Sequence, residues 1–405
     1  MVLLMPGFAS AFCHFQRAMK LDGFWREHFY CWLALLRYAP LALLVTLLVP
    51  PAISCEALHC HRQGTSLPWH RRKMWELRTW GRGLWLGVGV VFLLSFQEFE
   101  IAATWNLRSW PVALFDAQVG GLALRESLRL AVLPLFIQVA FIALLVCSLR
   151  PASHGNDRGG MNTQRSWLAP LVLLISFFVH SIFPCVAIGG GGFSAGMFSL
   201  LLTWPGLAAL AQWREIGNSL GIAIAATLIA WPLSGWIERR ISRRWPLVLP
   251  GLLGSLLCSL LLVSLLQMPP LRLLRETIFP TVLALALVQL PFAILLRYGI
   301  EVTGNHAALH MAHISNGRRA LWQLDGWPRL CSLLLLFCFA YGDFTANSLL
   351  APPQFTSVSV RLLNLLHYGR SDTLVVMFTL AYTVPLVIVL LTMHLARFYP
   401  RRRAS

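Results

Sequence analysis

Charge is scarce in this chain. Asp, Glu, Lys and Arg together make up 12% of its 405 residues, against about 25% in a soluble domain. Acids are the scarcer sign, 16 against 33 basic residues. With 57% hydrophobic residues and a mean hydropathy of +0.66, that poverty excludes a soluble domain. Other absences narrow the function. The glycine run 189–192 is followed by no Gly-Lys-Ser/Thr, so it is no phosphate loop, and no Walker motif occurs elsewhere. Any ATP hydrolysis must come from another chain. The nine cysteines lack CxxC-type zinc spacing. Cys55, His59, Cys60 and His61 crowd one loop without it, and Cys147, Cys185, Cys258, Cys331 and Cys338 lie in or beside apolar runs, where cysteine behaves as a small hydrophobe. No nucleophile–His–acid set stands out, so no catalytic residue, metal ligand or cofactor is assigned. The apolar stretch 1–12 has no basic n-region, which argues against a secretory signal.

What is present is a succession of apolar runs near 20 residues, each long enough to cross a hydrocarbon core of about 30 Å. Barrel strands would instead alternate over about 10 residues. The expectation is an all-α, polytopic helical membrane protein of about nine spans, at 30–50, 83–103, 129–149, 167–184, 217–236, 247–267, 277–296, 330–350 and 373–396. The segment 104–128 reads as amphipathic, with Trp105 and Trp110 suited to a membrane interface. The most polar stretch, 151–166, reads as a cytoplasmic linker between a first unit at 1–150 and a second at 167–405.

The net charge of +17 does not point to nucleic acid, because the basic residues sit in short loops between apolar runs, where they set topology. The loops after the first, third, fifth and seventh spans, with the Arg401-Arg402-Arg403 tail, carry about twice as many Lys and Arg as the other side. That places the C-terminus in the cytoplasm and the N-terminal segment outside.

An internal repeat is legible. Ala39-Pro40-Leu41-Ala42 resembles Leu290-Pro291-Phe292-Ala293, and Ala57-Leu58-His59 matches Ala308-Leu309-His310 at the same offset. Trp75, Leu77, Trp80 and Arg82 then match Trp322, Leu324, Trp327 and Arg329, and Glu98-Phe99 aligns with Asp343-Phe344. Both copies run in the same direction through the membrane, and parallel repeats place a pathway between the halves.

The second copy, through Ser348-Leu349-Leu350-Ala351-Pro352-Pro353 and the run from Ser357 to Leu365-Leu366-His367-Tyr368-Gly369, resembles the permease subunits of bacterial ABC importers, of the fused two-half type associated with ferric iron. The first copy resembles the other half through Phe96-Gln97-Glu98-Phe99-Glu100-Ile101-Ala102 and Leu114-Phe115-Asp116-Ala117-Gln118. The resemblance implies an inner-membrane permease that performs no bond chemistry, takes ferric iron or another small cationic solute, and works with separate ATPase subunits and a periplasmic substrate-binding protein. It implies six spans per half, so the first half is shortened by three. It also implies two cytoplasmic coupling loops, 56–82 and 304–329, with Glu56, Ala57, Gly64, Ala307, Ala308 and Gly317 as the small-residue docking elements and Trp75, Trp80, Trp322 and Trp327 as anchors. The family's Glu-Ala-Ala…Gly signature is altered: Arg62 and Ala312 stand where its glycine is expected, and His306 where its acid is. Two alternatives stay open, a permease-like protein that no longer couples to ATP and a polytopic membrane enzyme.

Ionisable residues inside apolar runs are costly and point to a pathway by default. Glu98, Glu100 and Asp343 are the acids so placed, and they suit a cationic substrate or a gate, or reach interfacial water from helix ends. Arg37, Arg129 and Arg297, near span ends, are expected to snorkel. Pro134, Pro291 and Pro385 are expected to kink their helices.

Overall fold

In a hydrocarbon solvent every backbone N–H and C=O needs an internal partner, which leaves helices as the default for apolar runs of this length. The computed structural model describes residues 7–48, 69–148, 168–183, 206–240, 245–304, 306–315, 317–367 and 371–398, and among them every regular element is helical. The chain begins with α1 (Gly7–Met19), α2 (Gly23–Leu48) and α3 (Trp69–Phe96). The short α4 (Glu100–Thr104) and α5 (Trp110–Val119) lead into α6 (Leu124–Ser148). After α7 (Leu168–Phe177), which continues as a π turn Phe178–Ile182, comes the long α8 (Gly206–Glu238). Two short helices follow, α9 (Leu249–Leu252) and α10 (Gly254–Leu266), and then α11 (Phe279–Thr303). A helical connection, α12 (His306–Ile314), α13 (Arg318–Leu321) and a π turn Trp322–Gly326, enters α14 (Trp327–Gly342). The last elements are α15 (Thr345–Leu350), α16 (Val358–His367) and α17 (Ser371–Phe398).

Seven stretches among the described residues are long and apolar enough to cross a membrane: Gly23–Thr46, Gly83–Thr104, Arg125–Leu145, Gln212–Glu238, Phe279–Glu301, Arg318–Gly342 and Val376–Ala396. The other two expected spans are shorter apolar helices, Pro170–Ile182 and Gly254–Leu266. At 1.5 Å per residue, 13 residues reach only about 20 Å. In the 247–267 run the helix is interrupted because Gly254 takes a left-handed φ of +86°, a conformation that opens a new helix instead of continuing the old one. The linker 151–166, the glycine run 189–192, the Cys55–His61 loop and the arginine tail lie outside the described residues.

The outward faces fit a lipid solvent. Leu133 and Phe136 on α6 are 67% and 70% exposed, and α8 and α17 carry Leu228, Leu390, Leu391 and Leu395 in similar settings. Soluble monomers rarely leave so much contiguous apolar surface uncovered. Inside, α8 and α11 meet along a seam of small residues, with Ala223, Ala226 and Ala230 against Ala284 and Ala286. Small side chains let two backbones approach closely where no hydrophobic effect pulls helices together. Pro40, Pro134, Pro232, Pro291 and Pro385 all lie inside helices.

Two helices expected to be continuous are broken. The 83–103 run stops as α3 at Phe96 and restarts as α4 at Glu100, and the 330–350 run stops as α14 at Gly342 and restarts as α15 at Thr345. Irregular backbone at membrane depth is tolerated where protein surrounds it or where it lines a cavity. Both breaks meet that condition.

Candidate functional site at converging helix breaks

Three interruptions come together in space: Gln97–Phe99 between α3 and α4, Leu253 between α9 and α10, and Asp343–Phe344 between α14 and α15. Their exposed backbone groups are taken up by side chains. Gln97 Nε2 donates to the Leu252 carbonyl at 2.7 Å, which ties the first break to the second. Trp110 Nε1 donates to the freed Phe96 carbonyl at 2.7 Å, and Ser359 Oγ donates to the Asp343 carbonyl at 3.1 Å.

The two predicted acids at the breaks have matching local roles. Glu98 Oε1 accepts from the Ile101 N–H at 3.2 Å, and Asp343 Oδ1 accepts from the Ala346 N–H at 2.8 Å. Each carboxylate thus serves the first turn of the short helix that follows, where negative charge is favoured. Ser255 Oγ, at the start of α10, donates to the same Asp343 oxygen at 3.0 Å. Phe99 and Phe344, one residue beyond each acid, lie face to face with ring centroids 5.5 Å apart and an interplanar angle of 3°, and Phe115 tilts against both.

Around the breaks is a cavity of about 170 Å³ whose wall includes Glu98, Glu100 and Asp343 together. Arg37 enters it from α2. Its Nη1 lies 3.9 Å from Glu98 Oε1 and 3.6 Å from Glu100 Oε2, and the Tyr38 hydroxyl donates to the other Glu98 oxygen. The reading of Arg37 as a snorkelling side chain is therefore corrected: its side chain is only 14% exposed and pairs inward. Arg297 is half-buried, and its guanidinium donates to Ser234 Oγ at 2.9 Å and to the Trp231 carbonyl at 3.0 Å and lies over the Trp231 ring. Trp105 does not sit at an interface. It is fully buried, stacks on Phe29 and donates through Nε1 to the Ala11 carbonyl of α1 at 2.9 Å.

Neutral residues complete the wall. Gln289, on α11, is 2% exposed, its Oε1 lies 3.5 Å from the Thr227 hydroxyl, and its Nε2 has no hydrogen-bond partner. Phe292 and Phe339 stack at 5.2 Å and bound an apolar side. Sequence reasoning passed over Ser255 and Gln289, because a single neutral polar residue in an apolar run looks the same whether it faces a cavity or a neighbouring backbone. Among the described residues no three of His, Cys, Asp and Glu are grouped as metal ligands.

The residues expected in the coupling loops do not line this cavity. Glu56, Ala57 and Gly64 lie outside the described residues, and Trp75 and Trp80 fall in the N-terminal half of α3. Ala307 and Ala308 belong to α12, Gly317 precedes α13, Trp322 opens the π turn and Trp327 begins α14. Ala307, His310, Met311 and Ile314 form an exposed face of α12, with Met311 63% and Ile314 67% exposed. Asp325 pairs with Arg329 at 2.7 Å on the π-turn side. Set against family models, curated proteins and solved structures, the chain matches none of them.

Proposed function

We propose that the chain is the membrane-spanning permease component of an ATP-driven, ABC-type importer for a small cationic solute, with ATP hydrolysed on separate subunits. The observation that carries this reading is the meeting of Glu98-Phe99 and Asp343-Phe344 at one acid-lined cavity, with the two phenylalanines stacked on each other. These are the dipeptides that the internal repeat pairs. Each follows a long helix and precedes a short helix, a second short helix and another long helix. Discontinuous helices at a repeat interface are how transporters build a midplane site.

On this reading α3–α6 and α14–α17 are parallel copies, and the two short apolar helices join the seven long ones as nine membrane segments in two halves. The C-terminus is cytoplasmic in a bacterial inner membrane, and a periplasmic substrate-binding protein docks on the opposite face. The α12 face made by Ala307, His310, Met311 and Ile314 follows the i, i+3, i+4, i+7 pattern that enters a partner's groove. It is assigned to an ATPase subunit, with Trp322 and Trp327 bracing the turn behind it. Ferric iron is one candidate solute.

Coexpression with candidate ATPase subunits tests this. The tagged chain should bring an ATPase down with it, and Met311→Asp or Ala308→Asp should abolish that association without altering the elution profile of the permease. An ATPase that never copurifies, or one that binds both variants as it binds the wild type, overturns the coupling. Retained membrane insertion in that case would favour the non-coupling alternative.

A further inference from the structure

The cavity at the converging breaks carries an excess of carboxylates. Glu98, Glu100 and Asp343 set three carboxylates against the single guanidinium of Arg37 in its wall. Arg37 lies between the two glutamates. Asp343 takes hydrogen bonds from Ser255 and from Ala346, but among the described residues no cationic side chain is paired with it. A buried carboxylate without a counter-charge is costly, so a cation arriving there gains what the fold has left unmatched.

Gln289 is a second, independent sign of a ligand. Its amide is 98% buried and keeps one atom unpartnered in the cavity wall. The Thr227 hydroxyl can serve either end of the amide, as donor to its oxygen or as acceptor from its nitrogen. Whichever end is turned away from Thr227 therefore lacks a protein partner.

Size and donor set decide the kind of cation. A protein cavity of ~150 Å³ admits a molecule the size of benzene, so about 170 Å³ suits a solute of comparable bulk. A bare multivalent metal ion wants three or more clustered ligands, and among the described residues no three of His, Cys, Asp and Glu are grouped closely enough to hold one. The Phe292–Phe339 pair instead gives an apolar face to a carbon skeleton, and aromatic rings attract ammonium and guanidinium groups.

We propose that this cavity binds a compact organic cation, an ammonium or guanidinium group on a short apolar body. Asp343 takes the charge, the Gln289 amide oxygen, turned inward while its nitrogen donates to the Thr227 hydroxyl, takes a polar hydrogen, and Phe292 and Phe339 hold the apolar body. The inference rests on the permease reading, but its test does not need the ATPase. The purified full chain in lipid nanodiscs is titrated calorimetrically with butylammonium and with guanidinium, with butanol as the neutral size control and ferric citrate as the metal probe. One saturable site is expected for at least one of the two organic cations and none for butanol. Asp343→Asn should weaken it at least ~tenfold, and Gln289→Leu by about threefold or more. Arg275→Ala, on the exposed connection before α11, should leave it unchanged. Both site variants should keep the wild-type helical content and elution profile, so that lost binding is not lost fold. Failure of both cations to bind, binding that survives Asp343→Asn, or a site taken by ferric citrate alone overturns the proposal. Copurification of an ATPase with no amine binding would sink this inference and leave the permease reading intact. Amine binding by a chain that recruits no ATPase would do the reverse.

Discussion

Arg37 places one guanidinium between two carboxylates inside a wall of apolar helices, and removing it leaves those carboxylates buried without a counter-charge. Breaking a buried pair from one side typically costs about 3–5 kcal/mol, whereas replacing both partners is far milder. Arg37→Met should therefore lower thermal stability in detergent strongly. Arg37→Met combined with Glu98→Gln should recover part of the loss, as read from unfolding midpoints. Equal midpoints for the single and double variants would mean that the pair does not stabilise the protein. The acids of this site were legible in the sequence because a carboxylate in an apolar run is rare enough to notice. Arg37 was noticed for the same reason but misassigned: an arginine near a span end can reach headgroups or a distant acid with equal ease, and only the packing of α2 on α3 decides. Trp105 failed for a related reason, since an indole N–H that seeks water at an interface is satisfied just as well by the carbonyl of Ala11.

At the scale of elements, the breaks matter more than the helices they interrupt. Gly254 opens α10 with φ at +86°, and a methyl group built there would clash with Gln97 Oε1. Gly254→Ala should then lose roughly 1–2 kcal/mol from the left-handed backbone alone, with a further loss from displacing Gln97 off the Leu252 carbonyl. Pairing it with Gln97→Ala separates the two. If the side-chain clash contributes, the double variant will be less destabilised than the sum of the singles; strict additivity would show that Gln97 moves aside freely. Hydropathy placed a span on each of the seven long apolar helices, with ends that miss by up to 12 residues where 330 stands against Arg318, but saw none of the breaks. It averages over a window, and Gln97-Glu98 or Gly342-Asp343 at the end of an apolar run reads simply as the run's edge. Glu98 and Asp343 become recognisable as capping acids only when the amides of Ile101 and Ala346 are seen to point back at them.

For the whole molecule, the Phe99–Phe344 stack is where residues far apart in the chain lock together, and both rings are about 95% buried. Aromatic pairs in this geometry carry roughly 0.5–1.5 kcal/mol beyond the area they bury. A double-mutant cycle of Phe99→Leu and Phe344→Leu should return a coupling of that order, and zero coupling would mean that each ring merely fills space beside Phe115. How the molecule sits in the membrane can be tested through α11, which runs Phe279–Thr303 with exposed residues at both flanks. Leu273, before it, is 85% exposed, and Met311, after it, is 63% exposed. The proposal that the α12 side is cytoplasmic rests on the charge bias of the loops, because Lys and Arg there act through position alone and need no partner. With the native cysteines replaced, Met311→Cys in right-side-out vesicles should react with a membrane-impermeant maleimide only after the vesicles are opened. Leu273→Cys should react in the intact vesicles. If both positions react from one side, α11 does not cross the membrane, and the cavity could not lie on a path between its two faces.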